Sequence, residues 1–387
     1  MKPNRACPIC RNSGKVTLLY KQEFLLPDDY KGLPDVYNIV ECDNCGFIYS
    51  DMIASQAIFD NYYENNSKYE NLCLSSSTGG IKDRTKFEVF YNEVEGFINK
   101  DFEVLDIGCA NGGLLYLLKE NGFHKISGID MSEICVENVS EMGVKCFKGG
   151  LFSLPENFIG KFDLVFLTGV LEHIYDIENA MKNICYVLND SGMVYFDVPD
   201  MSKYLDCYIK PFYYFDLEHI NHFEKQSLIN LGKTHGLHMM ESFQKIINGY
   251  PCISILLRKG NITTDVQLET DRKAIVNLKK YIEKSYKNDV SNKINELIIS
   301  QEEIVVWGIG AYTLGLFKKG LEKCNIVAIV DNDTKKQGMI INGIRIESPN
   351  VIKNFDATIV ILAALFRDEI LEQIKEMNIS NPIKSIY

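Results

Sequence analysis

Two cysteine knuckles stand at the start of this chain, Cys7-Pro-Ile-Cys10 and Cys42-Asp-Asn-Cys45, with residues 11–41 between them. A C-x-x-C turn aims two thiolates at one point, and two such turns complete a tetrahedron of the kind that holds zinc. Gly46 suits the tight turn after the second knuckle. Four thiolates leave no open coordination position, so Zn2+ on Cys7, Cys10, Cys42 and Cys45 is expected to be structural. The alternatives are two unrelated pairs or a redox disulfide. A second constellation lies in "VLDIGCANGG", where Asp106, Gly108 and Gly112 follow the spacing D-x-G-x-x-x-G at the end of a predicted strand. Glycines there let the backbone approach a ligand closely. The dinucleotide fingerprint is not met, because Ala110 takes the place of its second glycine. The leading acid suits a ligand that carries an amine and a sulfonium better than one that carries a pyrophosphate. Asp130 ends the next strand, where a carboxylate takes two ribose hydroxyls. A third feature is a repeated Glu-His pair. Glu172-His173 follows one strand in "TGVLEHIYD", and Glu218-His219 lies in "PFYYFDLEHINHF", with His222 three residues on. A histidine beside a carboxylate can act as a general base near neutral pH.

These residues need elements to position them. From 101 to about 260, "FEVLDIG", "ISGID", "VKCFKGG", "FDLVFLTGV", "GMVYFDVP" and "CISILLRKG" read as strands, with helical stretches between most of them. That βαβ rhythm implies a mainly parallel sheet, with chemistry at the carboxyl ends of its strands. A second α/β unit follows in "EEIVVWGIG", "NIVAIVDND" and "ATIVILAAL". The expected organisation is a zinc-binding module over 1–60, a helical and loop connector over 61–100, and a Rossmann-like domain over 101–260. A helical linker over 261–300 and a second Rossmann-like α/β domain over 301–387 complete it. The other histidines, His124, His235 and His238, read as surface or packing residues.

The bulk composition fits this picture. The chain has 387 residues, 46% hydrophobic and 24% charged, with a net charge of −11. An acidic protein is a poor generic partner for nucleic acid, which demands a basic face. No apolar run is long enough to span a membrane, and no secretory signal is expected from the opening residues. Twelve cysteines without a need for disulfides point to a reducing compartment, so the cytoplasm is expected. Nothing in the sequence sets the oligomeric state.

Residues 101–200 resemble the class I S-adenosylmethionine-dependent methyltransferases. The resemblance implies that S-adenosyl-L-methionine sits with its methionine end near Asp106 and its ribose on Asp130. Gly108, Ala110 and Gly112 would form the cradle, with Met131, Leu151, Phe152 and Thr168 around the rest of the cofactor. "KGGLFSLP" lacks the acid that often contacts the adenine amine, and backbone groups around 150–152 are expected to replace it.

The chain as a whole resembles the three-domain sugar-nucleotide C-methyltransferases of deoxysugar pathways. The C-terminal part carries the more specific match, through Gly308, Gly310, Asp331, Lys336, Gln337, Gly338, Gly343, Pro349, Asp368, Glu369 and Ile370. The resemblance implies a nucleotide-linked sugar as substrate, Glu218 and His219 as catalytic residues, and His173 as the upstream histidine. Asp216 stands where the family has a tyrosine, and Ala364-Leu365 where it has Trp-Asn. Tyr63 and Tyr69, in the partly matched loop "NYYENNSKYENLCLSSS", are expected substrate contacts, with Asp216 and His222. On a 4-keto sugar a histidine would remove the proton beside the carbonyl for C-methylation; on a hydroxyl the same base gives an ether. A nucleotide-binding or sensing protein with a degenerate methyltransferase domain is the alternative of another class.

Overall fold

The computed structural model describes residues 1–66, 83–261, 266–363 and 366–386. It divides the chain into two compact units. The first comprises Met1–Leu18, Val40–Cys207 and Glu218–Leu278; the second comprises Leu19–Ile39, Tyr208–Leu217 and Lys279–Tyr387. The domain organisation expected from the sequence was a run of consecutive blocks. The observed units are discontinuous, because segments 19–39 and 208–217 pack with the C-terminal residues rather than with their chain neighbours.

The N-terminal segment contains three strands, β1 (Val16–Glu23), β2 (Val36–Cys42) and β3 (Ile48–Asp51). Helices α1 (Gln56–Asn66) and α2 (Arg84–Val94) follow. The main sheet of the first unit then begins with β4 (Val104–Ile107), α3 (Gly113–Glu120), β5 (Ile126–Asp130), α4 (Glu133–Glu141) and β6 (Lys145–Lys148). It continues with β7 (Phe162–Thr168), α5 (Ile177–Val187), β8 (Leu188–Pro199), the short β9 (Asn221–His222), α6 (Lys225–Thr234), β10 (Leu237–Ile247) and β11 (Tyr250–Lys259). The strand order is β10-β11-β8-β7-β4-β5-β6. The run from β8 to β6 is parallel, and β11 and β10 close one edge antiparallel. The central strands are buried almost throughout because both of their faces are covered. Helix starts are capped where the sequence supplies an acceptor: Asp176 takes the Asn179 amide at 3.1 Å, and Glu224 forms a reciprocal capping box with Ser227.

Strand β10 has no counterpart in the sequence reading. It lies at a sheet edge and most of its side chains are exposed or half-buried, so "HMMESFQKII" carries little of the apolar signal that marks the interior strands. The N-terminal strands were also hidden, in a segment read as turns. β3 pairs antiparallel with β9, so Asn221 and His222 join a small sheet of order β1-β2-β3-β9.

Helices α7 (Arg272–Lys287) and α8 (Ser291–Ser300) follow in the stretch expected to be helical. The second unit has β12 (Ile304–Trp307), α9 (Ala311–Lys318), β13 (Ile326–Val330), β14 (Ile340–Ile341), β15 (Ile344–Glu347), β16 (Thr358–Ile361), α10 (Arg367–Glu376) and β17 (Ile383–Lys384). Its order is β14-β15-β13-β12-β16-β17, parallel except for β14. This is the expected second Rossmann-like α/β arrangement. No described helix is long and apolar enough to cross a membrane.

The knuckle glycine is fixed by two constraints. Gly46 has φ +75°, and a Cβ placed there would lie 2.3 Å from Thr270 Cγ2. The left-handed backbone alone disfavours another residue by about 1–2 kcal/mol, and the clash adds to that. Gly46→Ala is therefore expected to lower stability by at least that amount in chemical denaturation. An unchanged midpoint would contradict the packing described.

Candidate functional site

The four knuckle sulfurs converge. Cys7 Sγ lies 3.6 Å from Cys45 Sγ, Cys10 Sγ lies 3.5 Å from Cys42 Sγ, and all four are within 4.8 Å of one another. A tetrahedron of thiolates about 2.3 Å from zinc puts its sulfurs about 3.8 Å apart, so this set could hold such an ion. The backbone helps: the Arg11 amide donates to Cys7 O and the Gly46 amide to Cys42 O.

The glycine turn leaves β4 and opens α3. Gly108, Ala110 and Gly112 all have positive φ, at 74°, 46° and 72°. A Cβ on Gly112 would lie 2.7 Å from Val139 Cγ2, and one on Gly108 would lie 2.7 Å from Val170 Cγ2. The turn is thus pressed against α4 on one side and against the loop leading to Glu172 on the other. Asp130 organises the turn: Oδ2 accepts from the Ala110 amide at 2.8 Å, and Oδ1 from the Ser132 amide at 2.9 Å.

Asp106 is 2% exposed, and its Oδ1 has no hydrogen-bond partner among the described residues. Burial pushes its carboxyl up to about 7; the charge of Asp130 adds to the rise and Lys86 opposes it. An orphaned buried carboxylate oxygen beside a left-handed turn is what a ligand amine would satisfy, so these residues fit the amino group of S-adenosylmethionine. Met131 lies against Gly150, and Thr168 ends β7 opposite Asp197. Asp197 is itself bound by Ser254 Oγ at 2.7 Å and Lys245 Nζ at 3.1 Å. Leu151 is a core side chain whose carbonyl accepts from Asn183, and Phe152 is half-buried against the same core. Of this pair, the backbone rather than the leucine side chain can face a ligand.

The two Glu-His pairs come together. The rings of His173 and His219 are 4.9 Å apart between centroids, and His173 Nε2 is 3.8 Å from Glu172 Oε1. Glu172 is 3% exposed. His173 Nδ1 is 3.0 Å from the Glu218 carbonyl and 2.9 Å from Tyr63 Oη. The Glu218 carboxylate accepts from Tyr62 Oη at 3.1 Å, and Tyr250 Oη is 3.4 Å from His219 Nδ1.

His222, expected near the substrate, is 1% exposed in β9, with Tyr204 Oη 3.4 Å from its Nδ1. Burial first, then His219 and Arg5, push it down to about 3. It is a neutral packing residue in this fold. Asp216 falls in the second unit, lining a small cavity there with Pro211, Tyr312 and Lys319. Tyr69 lies outside the described residues, as do Ala364 and Leu365. Sequence reasoning missed Tyr62 and Tyr250, because no spacing links them to the histidines.

Residues 81–242 match a family model described as a methyltransferase domain, and residues 300–383 match one described as C2185-like, N-terminal. The tRNA U34 carboxymethyltransferase of Campylobacter hominis is 34% identical over 101 residues, 24% of this chain and 35% of its own length. The ribosomal protein L11 methyltransferase of Thermosipho africanus is 28% identical over 121 residues, 30% of this chain and 44% of its own. The chain thus spans less than half the length of these curated relatives. Among solved structures, 1,6-didemethyltoxoflavin-N1-methyltransferase of Burkholderia thailandensis aligns at 13% identity and a TM-score of 0.43, covering 57% of this chain and 97% of that one. Residues 81–242 thus carry a methyltransferase domain.

Asp106 makes this testable. Its raised value means the folded chain holds the proton between about pH 4 and about pH 7, where the unfolded chain has released it. The associated stability is present below about pH 4 and lost as pH rises through about 7. A ligand ammonium instead needs the carboxylate ionised. Cofactor affinity measured by calorimetry is expected to rise from about pH 5.5 to about pH 8. In Asp106→Asn the affinity falls and this pH dependence flattens, while the ligand-free protein is more stable than wild type at pH 8. A wild-type pH profile in the variant would exclude Asp106 as the partner of the amine.

Proposed function

We propose that the protein transfers a methyl group from S-adenosylmethionine to a nucleotide-linked deoxysugar, at the carbon beside a keto group. The observation that carries the reading is the pairing of His173 with His219 next to buried Glu172, in the unit that also holds the Asp106 turn. When bound, the cofactor supplies an already activated methyl carbon. The chain must then hold the acceptor in line and ionise it. His219 takes the proton beside the carbonyl, with His173 as the alternative base. Tyr63 and Tyr250, whose hydroxyls already lie at the two imidazoles, are placed to steady the developing oxyanion. Burial of His222, which disfavours its protonated form, removes it as a competing base. The choice of a sugar nucleotide rests on the three-domain resemblance of the sequence. Named relatives modify tRNA or a ribosomal protein, but the net charge of −11 speaks for a small-molecule acceptor here.

O-methylation of a sugar hydroxyl is the second reading, favoured by Asp216 standing where the C-methylating family has a tyrosine. Zn2+ on the four cysteines is proposed as a structural ion, supported by sulfur spacings that suit a closed tetrahedron.

A screen of sugar nucleotides with labelled cofactor, read by NMR, tests the assignment. His219→Ala is expected to lower kcat by about 100-fold or more with cofactor affinity retained, and His173→Ala to lower it less. In heavy water without turnover, wild type is expected to wash deuterium into the carbon beside the keto group. Turnover without such exchange supports the ether-forming reading. Full activity of both histidine variants would remove the base assignment.

Chelation gives a separate check on the knuckles. Extraction of one zinc per chain is expected to lower Tm, and Cys10→Ser to reproduce the loss. Metal-free protein of unchanged Tm would show that the cysteines need no ion.

A further inference from the structure

Two cysteines meet across the strand that lies between them. Cys109 belongs to the glycine turn after β4, and Cys146 lies on β6, with β5 between those two strands. Their sulfurs are 3.6 Å apart, and both are free thiols, Cys109 buried and Cys146 half-buried. Gly128 of β5 makes the meeting possible. It pairs in register with Cys146, and a Cβ placed on it would lie 2.7 Å from Cys109 Sγ and 3.2 Å from Cys146 Sγ. Four convergent thiolates, as in the knuckles, suit a metal ion; two thiols in contact suit a disulfide.

We propose that Cys109 and Cys146 form a dithiol site oxidised by hydroperoxides, and that the resulting disulfide weakens cofactor binding. Cys146, the more accessible sulfur, attacks the peroxide. The O–O bond breaks, the thiol proton goes to the leaving oxygen, and Cys146 becomes a sulfenic acid. Cys109 then attacks that sulfur, its proton leaves with the departing hydroxide as water, and the S–S bond forms. Two thiols are oxidised in sum, and the hydroperoxide is reduced to an alcohol and water, or to two waters. The order of attack follows from the surroundings. Contact with Cys146, burial and the charges of Asp106 and Asp130 push the Cys109 thiol well up, which suits the resolving partner rather than the first nucleophile. A disulfide holds its sulfurs about 2.05 Å apart, so the pair must close by about 1.5 Å. Either side that yields moves the cofactor cradle. On one side Cys109 stands between Gly108, pressed against Val170, and Ala110, whose amide is held by Asp130. On the other, β6 runs into Gly149, whose amide donates to Asp130 O at 2.9 Å, and then into the 150–152 segment expected along the cofactor. In a reducing compartment such a bond is transient and responds to oxidant.

The experiment treats full-length protein with hydrogen peroxide, maps its peptides by mass spectrometry, and measures S-adenosylhomocysteine affinity by calorimetry before treatment, after it, and after reduction with dithiothreitol. Expected is a peptide pair linked through Cys109 and Cys146, with affinity lowered by about 10-fold, a common size for coupled sites, and restored on reduction. Cys146→Ser is expected to show wild-type affinity before treatment, which shows that it folds, and to keep it afterwards. That variant retains the four knuckle cysteines, so it separates this pair from oxidation there. By reciprocity, saturating S-adenosylhomocysteine is expected to raise the reduction potential of the pair by about 30 mV, the equivalent of 10-fold for two electrons. Absence of the linkage makes these ordinary core thiols and overturns the site. A linkage with unchanged affinity, or an equal loss in Cys146→Ser, overturns its effect on the cofactor. Neither readout uses an acceptor or a base, so failure of the proposed methyl transfer to a sugar and failure of the dithiol site are separate results.

Discussion

One buried guanidinium holds the loops of His173 and His219 in register. Arg5 donates through Nη1 to Tyr175 O at 3.1 Å, and through Nη2 to Ile220 O and Asn221 Oδ1, each at 3.2 Å. Asn221 in turn donates from Nδ2 to Ile174 O at 2.7 Å, and the Ile220 amide donates to Glu172 O at 3.0 Å. His173 and His219 lie on separate loops, far apart in sequence, and these bonds lace the loops together. Hydrogen bonds from a charged group are each worth about 1.5–3 kcal/mol net, and a buried charge tolerates no loss of partners. Arg5 itself is pinned two residues before Cys7, where Asp51 Oδ1 accepts the Asn4 and Arg5 amides at 2.8 and 3.0 Å. The cysteine module therefore reaches the two imidazoles through packing: Arg5 is fixed beside Cys7 and bonds to the loops that carry them.

The two Rossmann-like sheets share a device and differ at the decisive position. In the first, Asp130 Oδ2 takes the Ala110 amide at 2.8 Å; in the second, Asp331 Oδ2 takes the Ile309 amide at 2.7 Å. The acid after the second strand thus works first as a brace for the glycine turn, a role that the expected ribose contact at Asp130 did not anticipate. Each carboxylate oxygen can accept more than one hydrogen, so bracing the turn does not by itself exclude a ligand contact. Two residues ahead of the leading glycine, the first sheet carries Asp106 and the second carries Val306, which is fully buried. Only the first turn offers an anion to an amine. The shared backbone device is a solution to turn geometry, and the leading residue decides what the turn can bind.

Legibility in the sequence followed the range of the interactions. The knuckles, the glycine turn and its two acids were readable because each is set by neighbours within a few residues or by the end of a predicted strand. The Glu-His pairs were readable as motifs but not as neighbours of one another, since the bonds that join them run through Arg5 and Asn221. Asp216 shows the converse: two residues from Glu218 in sequence, it belongs to the other compact unit. His222 shows that a motif histidine can be silenced by burial, which no spacing reveals. The β10 edge strand escaped because exposed strands carry charges as surface helices do.

Buried polar groups here fall into two kinds, and the division locates the chemistry. Asp51 and Asn221 are deeply buried and richly bonded, so their burial strengthens bonds that set geometry. Asp106 is as deeply buried, yet one of its oxygens has no partner among the described residues, which costs stability in the ligand-free chain. A protein selected for stability alone would place an amide or an apolar side chain there. The carboxylate is retained at the one point where β4 hands over to a left-handed turn, and the turn is braced from outside by Asp130 so that Asp106 need not brace it. The rigid bonds hold the scaffold, and the oxygen of Asp106 left without a partner among the described residues is the one proposed for the ligand amine.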